Sequence, residues 1–280
     1  MIPDWPLRGD GQVYTGDSLI LSGSVSVSAS VLCGNGVITT VASPLFASTK
    51  LPSGASGLLI HVWNLNPNGS LVQLYFGLIN PVTAANALIP NLIAYPQGGT
   101  HGWGSVYYPI AIPPGVALYV AGRSSLAGVS ARVTASAVTT GFRPSAPLSI
   151  VKYYGLAVDT ANQNGVSLIP PATAGTFSTP VAVGGTVSHP ISEMIIYFLA
   201  GQNPNRPTAS YLVNIYRSSS TSDVILSDIP LQTLAQTDVL MPQIIGPIPV
   251  DVPVGTQMYA SITSSPGSGI PIRMMIHGVS

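Results

Sequence analysis

The stretch PIAIPPGVALYVAGRSS, residues 109–125, is answered later in the chain by PIPVDVPVGTQMYASITSS, residues 247–265. Set 140 positions apart, Pro109 meets Pro249, Pro113 meets Pro253, Gly115 meets Gly255, Tyr119 meets Tyr259, and Ser124–Ser125 meet Ser264–Ser265. Ile110/Val250, Ile112/Val252 and Leu118/Met258 are apolar in both copies, at the spacing that turns alternate residues to one side of a strand. One inserted residue then brings Arg132 onto Arg273, and upstream LVQLY at 71–75 echoes LVNIY at 212–216. The echoes keep the same order in both halves. A chain of 280 residues that says the same thing twice is expected to hold two copies of one domain of ordinary size.

Local pattern gives the class of that domain. The 29 Gly and 26 Pro punctuate runs of four to ten residues rich in Val, Ile, Thr and Tyr, with little helical periodicity between them. SGSVSVSASV at 22–31 alternates serine with Val25, Val27, Ala29 and Val31, as a strand with one wet and one buried face does. LLIHVWNL at 58–65 and SLVQLYFGLI at 70–79 flank Asn-Pro-Asn-Gly, which predicts a hairpin between them, and the second copy has a longer turn at 203–207. Each copy then has a Pro-x-Gly turn before a strand and closes on a last strand, at 130–138 and 270–279. PVTAANALIP at 81–90 and LSDIPLQTLAQTD at 226–238 read as long connections with room for a helical turn. Residues 139–149, with Gly141, Pro144 and Pro147, read as a stiff linker. The predicted fold is all-β: two tandem antiparallel β-sandwich domains, jelly-roll-like and related by internal repeat, at 1–142 with an N-terminal arm and 143–280. Sequence does not choose between jelly-roll and immunoglobulin-like wiring.

Charge narrows function. Only 6% of residues are Asp, Glu, Lys or Arg, and the 9 basic residues cancel the 9 acidic ones. A nucleic-acid binder needs a basic stripe against phosphates, so no nucleic-acid partner is expected. A surface of Ser, Thr, Asn, Gln, Gly and Pro repels other proteins weakly and suits packing against them. The longest clear apolar run, MIIYFLA at 194–200, is far below the roughly 20 residues of a membrane helix, so no membrane partner is expected either. The start, MIPDWPLRGDG, lacks the basic and apolar blocks of a secretory signal. Cys33 is the single cysteine, which rules out an intrachain disulfide.

The chemical inventory is thin. His61, His101, His189 and His277 have no metal-ligand spacing, and His61 reads as a satisfied core or interface residue. Glu193 is the only glutamate, the aspartates are scattered, and there is no nucleophile elbow, P-loop or dinucleotide fingerprint. No catalytic residue, metal or cofactor is therefore expected. The contact candidates are aromatic. YPQGGTHGWGSVYYP at 95–109 reads as a Gly-rich loop presenting Tyr95, His101, Trp103, Tyr107 and Tyr108, which suit a sugar ring or a partner's pocket and equally suit packing under the loop itself. In the N-terminal arm, Trp5 between two prolines reads as an anchor for a neighbouring subunit. Arg8 there opens Arg-Gly-Asp, an adhesion-type tripeptide that also reads as a plain turn.

With tandem β-sandwiches, almost no charge and Ser/Thr/Gly/Pro-rich strands throughout, the chain resembles the accessory decoration or cement proteins of tailed-bacteriophage virions. That resemblance implies a non-enzymatic protein that binds the major capsid protein or other virion subunits, is homo-oligomeric or lattice-bound, and stabilises the shell against internal DNA pressure. Its place would be the virion, assembled in the host cytoplasm. The alternative is a receptor- or carbohydrate-binding module of a phage tail or cell surface, with glycan as partner and Trp103 and its tyrosines as the platform.

Overall fold

The computed structural model describes residues 24–41, 43–51, 54–64, 72–94, 102–124, 128–138, 150–155, 165–199, 210–232, 243–265, 267 and 271–280. The chain parts into two compact units, Met1–Val151 and Lys152–Ser280, against the expected division at 142/143. The expected linker at 139–149 lies outside the described residues, as do Trp5, Arg8, Tyr95 and His101. The described chain is all-β, and its helix is confined to the single turn Ser48–Lys50.

Unit 1 holds β1 (Ser24–Asn35), β2 (Thr39–Thr40), β3 (Gly57–Asn64), β4 (Val72–Gly77), β5 (Ala87–Ala94), β6 (Gly102–Tyr108), β7 (Tyr119–Ser124) and β8 (Val129–Val138). The strands run β5-β4-β7-β1-β8-β3-β6, with β2 on β7. All pairings are antiparallel except β1 with β7, where Gly34 meets Arg123 and Asn35 meets Ser124. That short parallel contact curls two four-stranded layers into one sheet. β8 shows why: Val129, Ala131, Val133, Ala135 and Ala137 are buried while the residues between them turn outward. Leu58 and Ile60 from one layer and Leu74, Phe76 and Val120 from the other are fully buried, each removal of such a side chain from water contributing about 1.5–3 kcal/mol.

Unit 2 holds β9 (Val151–Tyr154), β10 (Val166–Leu168), β11 (Val181–Ala182), β12 (Ile191–Leu199), β13 (Ser210–Tyr216), β14 (Val224–Gln232), β15 (Gln243–Val252), β16 (Tyr259–Ser264) and β17 (Ile272–Val279). One sheet runs β10-β17-β12-β15 with β9 also on β17, and the other runs β11-β16-β13-β14. Met194, Ile196, Phe198, Met274 and Ile276 from the first pack with Val213, Ile215 and Ile262 from the second.

Several pairings recur in both units, although unit 1 is one curled sheet and unit 2 has two. In each, the last strand (β8, β17) lies between an early strand (β1, or β9 and β10) and β3 or β12, with β6 or β15 outside. Pairing of β4 with β5 shifts register between Leu74 and Phe76 and again before Gly77, and pairing of β13 with β14 shifts between Val213 and Ile215 and again before Tyr216. The Pro-x-Gly turns match to the hydrogen bond. Gly115 N donates to Leu51 O at 2.8 Å and Phe46 N to Leu118 O at 3.0 Å; Gly255 N donates to Val187 O and Val183 N to Met258 O, both at 2.8 Å. Both glycines have positive φ, 68° and 86°, which is why the turn needs glycine although a Cβ would meet nothing.

Three local expectations change. β3 and β4 do not form a hairpin, because both edges of β3 are taken by β6 and β8 and both edges of β4 by β5 and β7. The Asn-Pro-Asn-Gly segment itself lies outside the described residues. Turn residues favour a chain reversal but do not say which strand the chain pairs with afterwards. Of the two expected connections, 81–90 turns at 84–86 and then enters β5, and 226–232 belongs to β14 with 233–238 outside the described residues; both strands are bent by bulges. Finally, the expected loop at 95–109 holds strand β6 over Gly102–Tyr108, since pairing along all seven residues with β3 satisfies backbone groups that its glycines leave uncovered.

Candidate interaction surface

In unit 1 the outward side of β4 and β7 is closed over. Val82, from the segment after β4, packs on Tyr75 and Ala121, and its backbone N donates to Thr40 Oγ1 at 2.9 Å. The outward side of the other layer, β1-β8-β3-β6, is more open: Leu59, His61, Ser105, Tyr107, Thr134 and Ser136 are half-buried, and Ser30 and Arg132 are exposed. It forms rows across the strands. Thr134, His61 and Ser105 make one row, and Ser30 and Arg132 begin the next, where the register continues through positions 63 and 103.

His61 Nδ1 and Ser105 Oγ are 2.6 Å apart, so the histidine is satisfied on the outer face and not within the core. Burial lowers its pKa below the ordinary histidine value, and a neutral ring can accept a hydrogen bond from the serine hydroxyl in the tautomer that leaves Nδ1 unprotonated. Tyr107 lies directly over Gly57. A Cβ on Gly57 would run into the tyrosine hydroxyl and ring, so that glycine makes the seat in which the ring rests. Tyr108, its neighbour, points the other way and is fully buried. Its expected contact role does not fit that position, because period-2 geometry sends adjacent residues to opposite faces. Trp103 stands opposite Trp63 in the register.

The corresponding face of unit 2 is buried along its middle, where Ile195, Tyr197, Met275 and His277 are almost inaccessible, with the Tyr197 and His277 rings 4.7 Å apart. At its rim the two units agree. Ser30 pairs with Arg132 in unit 1 and Ser167 with Arg273 in unit 2, both serines exposed, Arg132 exposed and Arg273 half-buried. The Arg132/Arg273 echo is visible in sequence, but its flanking serines come from strands about 100 positions away and could not be paired with it by pattern alone. Likewise nothing local joins His61 to Ser105. Among the described residues, no three His, Cys, Asp or Glu side chains gather to hold a metal ion, and no helix is long and apolar enough to cross a membrane.

No protein-family model matches the chain, and no curated protein matches it. Among solved structures it is similar to PNGF-II at 6% identity with a TM-score of 0.42, covering 92% of this chain and 66% of that one. It is also similar to the T=1 Penaeus vannamei nodavirus at 12% identity with a TM-score of 0.25, covering 92% of this chain and 98% of that one. The chain thus spans slightly less than two thirds of the PNGF-II chain it matches. Neither likeness bears on function at these scores.

Proposed function

We propose that this chain is a non-enzymatic structural protein of a virion: a decoration or cement protein of two jelly-roll units that bridges neighbouring subunits of a protein shell. The observation that carries the reading is the Ser–Arg pair at the same outward place in each unit, Ser30 with Arg132 and Ser167 with Arg273. Two related faces in one chain suit two related sites on a lattice, and the link between them raises the effective concentration of the second contact. Strand order supports jelly-roll over immunoglobulin-like wiring, since β4–β5 and β13–β14 are the only successive strands side by side in each unit among the described strands, whereas the ABED and CFG sheets of immunoglobulin wiring hold three such pairs. The low charge, 18 charged residues in 280, supports close-fitting contact over long-range steering.

The test is binding to purified shells that lack this protein. Saturable binding with modest salt sensitivity, and shells more resistant to heat, is the expected result. Selective glycan binding that depends on Trp103, without shell binding, would overturn it in favour of the receptor- or carbohydrate-binding module. The half-exposed Tyr107 ring seated on Gly57, in the same strand as Trp103, is what favours that second reading.

A further inference from the structure

We infer that unit 2 takes an aromatic side chain, flanked by a basic residue, from a shell subunit into the open side of its core between β14 and β15. Among the described strands, β14 ends one sheet of unit 2 and β15 ends the other. Five apolar residues pack against the core of unit 2 yet stay half-buried, and all come from these two strands: Ile225 and Leu226 from β14, and Ile245, Ile248 and Val250 from β15. The core is thus incompletely closed along this side. Unit 1 has the same places filled. Leu58 pairs with Ala137 and Tyr108 where Met194 pairs with Gly278 and Ile248, so Tyr108 answers to Ile248. Pro109 answers to Pro249 and Ile110 to Val250 in the same way. On the opposite strand, Ile89 pairs with Phe76 and Leu226 with Ile215, each just after a register shift, so Ile89 answers to Leu226 and Leu88 to Ile225. Tyr108, Ile110 and Ile89 are fully buried and Leu88 is 8% exposed, whereas all four counterparts are half-buried.

The difference between the units says what fits. The largest change among the four positions is a buried phenol ring at Tyr108 against a branched aliphatic at Ile248. A ring brought from outside supplies what unit 2 lacks there, and aromatic anchors seated among apolar residues carry much of the energy of protein interfaces. Charge then narrows the presenter. Among the described residues of 210–252, Asp223, Asp228 and Asp251 stand against a single base, Arg217. That base is already held: its Nη1 lies 3.1 Å from Asp223 Oδ1, and its Nη2 donates to Asp251 O at 2.8 Å. Asp228 and Asp251 are exposed on the two strands that flank the opening, so a cation beside the incoming ring is attracted and an anion repelled. The inference rests on the shell reading for who supplies the ring, and on unit 2 alone for where the ring goes.

The experiment is titration of the purified full chain with p-cresol, the side chain of tyrosine, read by methyl NMR, beside binding to purified shells. The expected result is saturable shifts at Leu226, Ile245, Ile248 and Val250, lost in Ile248→Tyr, whose own ring fills the opening as Tyr108 does in unit 1. Because Ile248 is half-exposed, the larger side chain has room to turn outward. The same variant should bind shells about tenfold or more weaker with an unchanged urea midpoint. N-acetyl-Tyr-Lys amide should bind the full chain about threefold or more tighter than N-acetyl-Tyr-Glu amide at low salt. Should Ile248→Tyr not fold, Leu226→Phe closes the opening from the other strand and gives the same readouts. The inference is overturned by no saturable shift at these methyls, by shifts or shell binding that persist in the folded ring-bearing variant, or by equal affinity for the two dipeptides. A chain that takes p-cresol but no shell sinks the shell reading alone, and one that binds shells with no p-cresol site sinks this inference alone.

Discussion

Asn91 and Asp228 hold the same left-handed backbone, φ 55° and 53°, at the same place in the doubly bulged strands β5 and β14. Asn and Asp are the residues that tolerate this region best after glycine, because their short polar side chains bond locally. The shared bend lets each strand follow its neighbour through two register shifts. At Asp228 the backbone N donates to Asn214 Oδ1 at 2.7 Å, which ties the bend to the adjacent strand.

If backbone conformation selects the residue at 228, Asp228→Gly should leave stability within about 0.5 kcal/mol, while Asp228→Val should cost about 1–2 kcal/mol. The side chain is exposed, so packing contributes little to either. Equal losses for both, measured by urea unfolding, would show that the carboxylate matters and the φ does not.

Gly115 and Gly255 make a matched pair of tests. Neither would crowd a Cβ, yet Gly115→Ala and Gly255→Ala are each expected to cost about 1 kcal/mol through positive φ alone. Because the glycines lie in different compact units, the double variant should lose the sum of the two in denaturant melts.

Glu193 gives a pH test. Its Oε2 is buried with no hydrogen-bond partner among the described residues, and burial raises the carboxyl pKa above the usual carboxylate value. The folded state therefore holds this proton more tightly than the unfolded one, so stability from this group is full below the unfolded pKa and falls as pH rises through the folded one. Glu193→Gln should raise the melting temperature at pH 7, with the gain shrinking toward zero as pH drops below the normal glutamate range. A gain of the same size at all pH values would point to packing and not to ionisation.

The shell reading puts weight on Arg132 and Arg273. Arg132→Ala or Arg273→Ala alone should each weaken shell binding, because avidity needs both contacts at once, and the double variant should weaken it by about the product of the two. Circular dichroism should stay unchanged, since both side chains face outward. Binding unaffected by the double variant would remove the arginines from the interface.

Period-2 alternation was enough to identify strands such as β8, because a strand with one buried face writes that face into every second residue. The turns at Gly115 and Gly255 were legible for a similar reason, as Pro-x-Gly signals a turn through residues within it. The echoes legible between the halves were short segments, from the Pro-x-Gly turns to Arg132 and Arg273. Partner choice was not legible. The Asn-Pro-Asn-Gly stretch looked like a hairpin because turn chemistry is local, whereas the decision that β3 pairs with β6 and β8, and β4 with β5 and β7, depends on how two layers share one core. The same holds at the surface. Only tertiary pairing brought Ser105 to His61 and set Tyr107 over Gly57 while sending Tyr108 inside. Those relationships join residues tens of positions apart, and their energies exist only once the layers have closed.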